Sequence, residues 1–203
     1  MKVVKYGFYS RKMSLSSPKR PEKTGPTYRF ATDQDGSTEE GSKPQGYLAP
    51  FNPTDITAQQ AALDMMKLTS EDVLYDLGCG DGRFLFAAFL SVQGGLNCVG
   101  VEFDRIYYER CLTTLATIPP CKDKVTFHHA DVCTTDLTPA TAIFVYLVPA
   151  GLKLIEEKLH SSLRNGVRIA SYMFSVPGLT PVKTDSTKGG CKVHFYDSTS
   201  LPS

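Results

Sequence analysis

Four carboxylates and three glycines carry the chemistry legible in this chain. In "VLYDLGCGDGRF" (Val73–Phe84), Gly78, Gly80 and Gly82 fall at alternate positions after an apolar run that closes on Asp76, and Asp81 lies inside the loop. Glycine lets a backbone take left-handed angles and come close to a ligand. A helix that follows such a loop offers unpaired N–H groups. The dinucleotide fingerprint G-x-G-x-x-G is one residue wider and is shaped to seat a pyrophosphate. Two carboxylates beside the loop would repel a pyrophosphate. They suit a ligand with a positive end, such as an amine or a sulfonium.

Two further acids extend the pattern. Glu102, within "VGVEFD", ends the second strand twenty residues after Gly82, where a carboxylate can accept from both hydroxyls of an adenosine ribose. Asp131, in "HHADV", is placed to accept from an adenine amino group, with the Val132 backbone N–H available to a ring nitrogen. Each acid alone reads as a loop residue or helix cap. As a set after three successive strands, they point to S-adenosyl-L-methionine rather than NAD.

The elements that must position these residues alternate along the chain. Thr57 and Gln60 read as a capping box before the helix "AALDMMKL". "DVLYDL" reads as a buried strand, "RFLFAAFLSV" as a helix, "NCVGVEF" as a strand, and "RIYYERCLTTLA" as a helix with Tyr108, Cys111, Leu112 and Leu115 on one face. "KVTFHH" and "TAIFVYLV" are strands, Leu152, Ile155, Leu159 and Leu163 recur at helical spacing, and "GVRIASYMF" is the next strand. Such alternation predicts crossover units and a doubly wound, mostly parallel α/β sheet. "LTPVKT", "DSTKGG" and "CKVHFYD" then predict a C-terminal antiparallel hairpin, with Cys191, Val193 and Phe195 on one face.

Residues 1–45 show no sustained period and are basic and rich in Ser and Pro; they read as a disordered tail, leaving one domain over 46–203. Residues 1–31 hold eight Lys/Arg against one acid, a charge of +7, so the rest of the 203-residue chain carries −6. An acidic domain is not built to coat nucleic acid. The six cysteines include no C-x-x-C pair, so reduced intracellular thiols are expected, in the cytoplasm or in mitochondria, since the basic stretch permits a presequence. No apolar run is long enough to span a bilayer. His128 and His129, at a strand end, read as structural rather than catalytic, and Cys191-x-x-His194 does not read as a metal site, because residues spaced by three on a strand face opposite ways.

"DLGCGDGRF", "VGVEFD" and "HHADV", followed by a terminal hairpin, resemble the seven-stranded, Rossmann-like class I methyltransferases. "YLAPFNPTD", "GVEFD" and "IFVYLVP" resemble, more narrowly, a small family of protein-lysine methyltransferases that acts on the ATP synthase c subunit and the adenine nucleotide translocase. The resemblance runs from about Gly46 to Tyr196. It implies that Asp76, Gly78 and Gly80 hold the methionine end of the cofactor, Glu102 the ribose, and Asp131 with Val132 the adenine. It also implies that Tyr146 to Pro149 line the acceptor side, with Tyr146 and Pro149 as its active-site residues. Tyr47 and Phe51 would close over the cofactor or pack the entering segment.

The implied activity is methyl transfer to a lysine ε-amine of a protein substrate. A small-molecule or RNA methyltransferase, or an inactive cofactor-binding module, remain open on the same residues. In-line transfer to a neutral amine calls for positioning more than for a general base, and none is assigned.

Overall fold

The computed structural model of the chain describes residues 52–93 and 95–202. The basic tail, the expected boundary at residue 46, Tyr47 and Phe51 lie outside them. Within the described residues a seven-stranded sheet runs in the order β3-β2-β1-β4-β5-β7-β6. Its strands are β1 (Val73–Leu77), β2 (Asn97–Glu102), β3 (Val125–His129), β4 (Ala142–Val145), β5 (Arg168–Tyr172), β6 (Lys183–Ser186) and β7 (Lys192–Tyr196). The pairings among β1 to β5 are parallel, and β7 lies antiparallel to both β5 and β6. The doubly wound sheet and the terminal hairpin predicted from the alternation are both present.

The chain moves outward from β1 through β2 to β3, then returns to place β4 on the other side of β1. That reversal opens a crevice beyond the carboxyl ends of β1 and β4, where ligands of open α/β sheets bind. The acids picked out from the sequence sit at this edge.

Side chains alternate across the strands, so each strand feeds two cores. On one face, Leu74, Cys98, Phe127, Ala142, Phe144 and Ala170 pack with residues of α1 (Ile56–Met66), α2 (Arg83–Ser91) and α3 (Arg105–Ala116). On the other, Leu77, Val101, Ile143, Val145 and Ile169 meet α4 (Pro149–Leu154) and α5 (Glu156–Arg164). Because β1 and β4 are covered on both faces, β4 reads as an unbroken apolar run and β1 as one interrupted only by Asp76.

Three local expectations are corrected. The N-cap of α1 is Asp55, whose Oδ1 accepts from the Thr57 amide at 2.8 Å. An aspartate two residues upstream outcompetes the Thr57–Gln60 box, and Gln60 instead donates to Asp64 at 2.8 Å. The helix read through Leu152, Ile155, Leu159 and Leu163 is two helices that meet at Ile155, whose φ of −108° leaves the helical range; all four side chains are still fully buried. Strand β4 stops at Val145 rather than running through Val148. Its last partner on β1 is Leu77, after which β1 turns into the glycine loop and the ladder ends.

The opposite edge of the sheet is held by charge. Asp72 accepts from the Thr69 amide at 2.8 Å and the Thr141 hydroxyl at 2.7 Å, and it pairs with Arg168. Arg168 also donates to the Met66 carbonyl at 2.5 Å, so one guanidinium joins the end of α1 to the starts of β1 and β5. Burial works against the Asp72 charge, but the hydrogen bonds from Thr141, Arg168 and Thr69 outweigh it and hold the carboxyl below its ordinary value. A depressed carboxyl contributes stability that is present above the ordinary value of 3.8 and lost as pH falls through the folded-state value. Asp72→Ala should therefore cost about 3 kcal/mol at neutral pH, with the deficit shrinking as the wild type is acidified. Urea denaturation at pH 7 and near pH 3 checks this, and a pH-independent deficit would refute it.

Candidate active site

The site is built from three strand ends and the loops that leave them. Asp76 lies in β1 between Gly100 of β2 and Phe144 of β4. It is 3% exposed. Among the described residues no donor reaches its carboxylate. Burial first, and then the neighbouring charges of Glu102 and Asp81, push its carboxyl well above the ordinary aspartate range.

The glycine loop folds back on the end of β2. The Gly78 and Cys79 amides donate to the Val101 carbonyl at 2.9 and 3.0 Å, and the Gly82 amide closes a turn onto Cys79 at 2.9 Å. Gly82 has a φ of +74°, and a side chain there would meet the Phe127 ring at 2.8 Å. Gly100 faces the same ring, with 2.5 Å left for a β-carbon. Two glycines on different elements thus accept one phenylalanine of β3, and the loop can lie flat on the sheet. Gly82 is needed for packing as much as for any ligand.

Glu102 joins the first two loops. Its Oε2 accepts the Gly80 amide at 2.7 Å and its Oε1 accepts the Asp104 amide at 2.8 Å. Burial raises its carboxyl above the ordinary value, although the amides of Asp104, Gly80 and Phe103 pull the other way. A carboxylate has about four lone-pair positions, so two remain for a ligand. The sequence reading treats Asp81 as a second free carboxylate, and the structure corrects that. Arg83 grips it, Nε to Oδ1 at 2.9 Å and Nη2 to Oδ2 at 2.5 Å. Of these three carboxyls, Asp76 and Glu102 have no cationic partner among the described residues.

Asp131 stands just after β3. Its Oδ1 accepts the Cys133 amide at 2.8 Å, while its own carbonyl takes the amides of Thr134 and Thr135, both at 3.1 Å. Val132 is buried, and among the described residues no acceptor meets its N–H. His129 is structural: its Nε2 shares a hydrogen bond with the Phe103 carbonyl at 2.9 Å, and its ring stacks on Tyr108.

Beyond β4, Tyr146 enters a polar and aromatic cluster. Its hydroxyl accepts from Asn52 Nδ2 at 2.8 Å and donates to Met173 Sδ at 2.8 Å. Its ring meets that of Tyr172 edge-on at 4.6 Å. Met173 follows β5 with a φ of +65°, an uncommon angle for a residue with a side chain. Leu147 lies against Gly78, 3.2 Å from where a β-carbon would sit, so the end of β4 abuts the glycine loop. Pro149 is exposed and opens α4 at its first position, where a missing N–H costs nothing. The structure brings Asp76, Gly78, Gly80, Glu102 and Tyr146 to one edge of the sheet. Asn52 and Met173 carry no distinguishing mark in the sequence, where an asparagine before a proline is an ordinary turn residue and a methionine at a strand end an ordinary apolar one.

These features can be set beside known proteins. The family described as the ANTKMT methyltransferase domain matches residues 76–183. The chain belongs to this methyltransferase family. A protein-lysine N-methyltransferase of Saccharolobus islandicus is 30% identical over 149 residues, which cover 71% of this chain and 89% of that protein. The adenine nucleotide translocase lysine N-methyltransferase of Mus musculus is 33% identical over 61% of this chain. Only 52% of the mouse protein is covered, so this chain spans about half the length of that relative. Among solved structures, an RNA methyltransferase from Salinibacter ruber in complex with S-adenosyl-L-homocysteine aligns with a TM-score of 0.66 at 27% identity, over 71% of this chain and 92% of that one. This methyltransferase uses S-adenosyl-L-methionine.

The buried Asp76 carboxylate generates a prediction for the free enzyme. Its folded-state pKa lies above the ordinary 3.8, so the native state holds the proton more tightly than the unfolded chain. Stability should then fall as pH rises from about 3.8 through the folded-state value. Asp76→Asn has no such slope. It should match the wild type near pH 3 and exceed it at pH 7.5, as measured by urea denaturation across that range. Parallel curves for the two proteins would show that Asp76 is not held protonated by its surroundings.

Proposed function

We propose that this enzyme methylates the ε-amine of lysine in a protein substrate, and that the acceptor meets it beside Tyr146. The observation that carries this reading is the state of the Tyr146 hydroxyl. Its proton is committed to Met173 and one lone pair to Asn52, so the other lone pair is left to accept from an incoming N–H. An amine held by that hydrogen bond can turn its own lone pair toward the glycine loop. The Saccharolobus islandicus relative, a protein-lysine N-methyltransferase of which this chain covers 89%, supports the same acceptor.

The residues fit the cofactor. A carboxylate that no donor among the described residues reaches, Asp76, suits a cation, and Gly78 and Gly80 let a backbone lie against it; together they would hold the methionine end. Glu102 would accept from the ribose hydroxyls with its two remaining lone pairs, and Asp131 with the Val132 N–H would hold the adenine. When bound, S-adenosyl-L-methionine supplies an electrophilic methyl group on a sulfonium. Binding of a positive end would draw Asp76 back to its charged form, so the site neutralises itself as it fills.

The acceptor must arrive neutral, whereas a free lysine amine has a pKa of about 10.4. Burial against Tyr146 and Tyr172 disfavours the ammonium, and no side chain need take the proton in the transfer step itself. Positioning of this kind can remove about 7–11 kcal/mol of a bimolecular barrier. Pro149 would fix where α4 begins and so the course of the chain after Tyr146. We also place the enzyme inside the cell, a reading supported by its six free cysteines; its basic N-terminal stretch permits import into mitochondria. Among the described residues no helix is long and apolar enough to cross a membrane.

Extract incubated with the enzyme and cofactor labelled in its methyl group should yield labelled protein bearing methyl-lysine. Label in RNA or in small molecules alone would overturn the reading. Tyr146→Phe should lower kcat about tenfold while the cofactor Kd stays within about threefold, since the lost contact matters only when the acceptor is aligned. Unchanged turnover in that variant would remove the hydroxyl from the site. Glu102→Ala should weaken cofactor binding about tenfold to a hundredfold. Because Glu102 also holds the Gly80 and Asp104 amides, the same change should cost about 1.5–3 kcal/mol of stability; calorimetry and a thermal melt read the two effects separately.

A further inference from the structure

Lys158 belongs to α5 but spends its charge elsewhere. Its ammonium donates to the carbonyls of Val132 at 3.0 Å, Cys133 at 2.9 Å and Thr135 at 2.5 Å. An ammonium has three N–H donors and no acceptor, so every donor is used, and all three go to the loop that carries Asp131 and Val132. Lysine on a helix ordinarily reaches water. Here burial pulls the ammonium pKa down, with Cys133, Asp131 and Asp136 acting in the opposite sense. A charge kept in that position at such a cost is holding something in place.

The connection to Asp131 runs through one peptide group. The carbonyl of Val132 and the amide of Cys133 are two ends of the same peptide unit. Lys158 sits on the carbonyl end at 3.0 Å, and the amide end donates to Asp131 Oδ1 at 2.8 Å. A cation on the carbonyl polarises the unit and makes its N–H a stronger donor. The lysine thus sets the orientation of the Asp131 carboxylate without touching it. Asp131's own carbonyl is fixed as well, by the Thr134 and Thr135 amides and by their hydroxyls at 3.1 and 2.9 Å. The Cys133 thiol also hydrogen-bonds this carboxylate, so the side chain is held by its own loop and its remaining lone pairs face a ligand in a direction the loop cannot easily change.

We propose that Lys158 is a positioning residue for nucleobase selectivity: through the Val132–Cys133 peptide it aims Asp131 so that the site accepts a 6-amino purine and rejects a 6-oxo purine. The inference rests on the assignment of Asp131 to the adenine amino group. A 6-oxo purine offers an acceptor where the amino group would donate, so it would face the Asp131 carboxylate with no hydrogen between them. Sites built to pair with one polar group discriminate strongly against its absence.

The test compares two ligands on three proteins by calorimetry. The ligands are S-adenosylhomocysteine and its inosine counterpart, and the proteins are the wild type, Lys158→Met and Lys158→Arg. The wild type should favour the adenosine compound by about tenfold or more, the worth of one hydrogen bond to a charged acceptor. Lys158→Met should narrow that preference to about threefold or less, chiefly by weakening the adenosine compound. Lys158→Arg, which keeps a cation over the carbonyls, should retain most of the preference. A folded Lys158→Met protein with an unchanged preference would overturn the inference, because a merely structural lysine lowers melting temperature without altering the ratio. A wild type that does not distinguish the two compounds would instead sink the assignment of Asp131. Should Lys158→Met fail to fold, Lys158→Gln, uncharged but still a donor, is read by the same ratio.

Discussion

Everything at the ligand edge of this sheet depends on the carboxylate of Glu102. It takes one amide from the glycine loop and one from the turn that starts α3. The Cys111 thiol of α3 adds a hydrogen bond to the Gly80 carbonyl at 3.1 Å. A glycine loop is mobile by composition, and its usefulness lies in being held while remaining bare. Glu102 does this by hydrogen bonding, and Phe127 does it by filling the space that side chains at Gly82 and Gly100 would need. The same carboxylate retains lone pairs for a ligand, so the group that shapes the crevice also faces it.

The two ends of the sheet treat buried acid in opposite ways. At the N-terminal edges, Asp72 is matched by Arg168 and by donors from Thr69 and Thr141, and its charge is stabilised. At the C-terminal edges, Asp76 has no donor among the described residues, and its charge is penalised by burial and by Glu102. The first arrangement is complete in itself. The second is complete only with a cation, and this is the electrostatic preference expected of a site for a sulfonium ligand. A methyltransferase needs just that asymmetry, because the cofactor is cationic before transfer and its sulfur is neutral afterwards.

The proposed acceptor side draws on residues distant in the chain. Asn52 precedes α1, Tyr146 follows β4, and Met173 follows β5, yet one hydroxyl links them. Met173 takes an unusual backbone angle at that point, and its sulfur receives the Tyr146 proton. Residues in such angles persist where surrounding contacts over-determine them. The ring contact between Tyr146 and Tyr172 supplies part of that constraint. Tyr146 is therefore both a packing residue and a polar one, which no reading of "VYLVP" could separate.

The sequence by itself determined the order and type of the elements and the family, and it singled out the glycines and acids proposed for the cofactor half. It could do so because those features are local: strand periodicity is written in neighbouring residues, and a glycine loop with its aspartate occupies one short run. It misjudged the start of α1, the break at Ile155 and the end of β4, where a neighbour in space decides between two locally acceptable conformations. Only the tertiary structure showed that Asp81 is neutralised by Arg83, that Asp76 is not, and that Tyr146 is held by Asn52 and Met173. Lys158 is the clearest case. In the sequence it is one more lysine on a helix, three residues after Ile155 and beside the apolar stripe. Its meaning depends on carbonyls that the chain laid down more than twenty residues earlier, and backbone carbonyls leave no mark in a sequence.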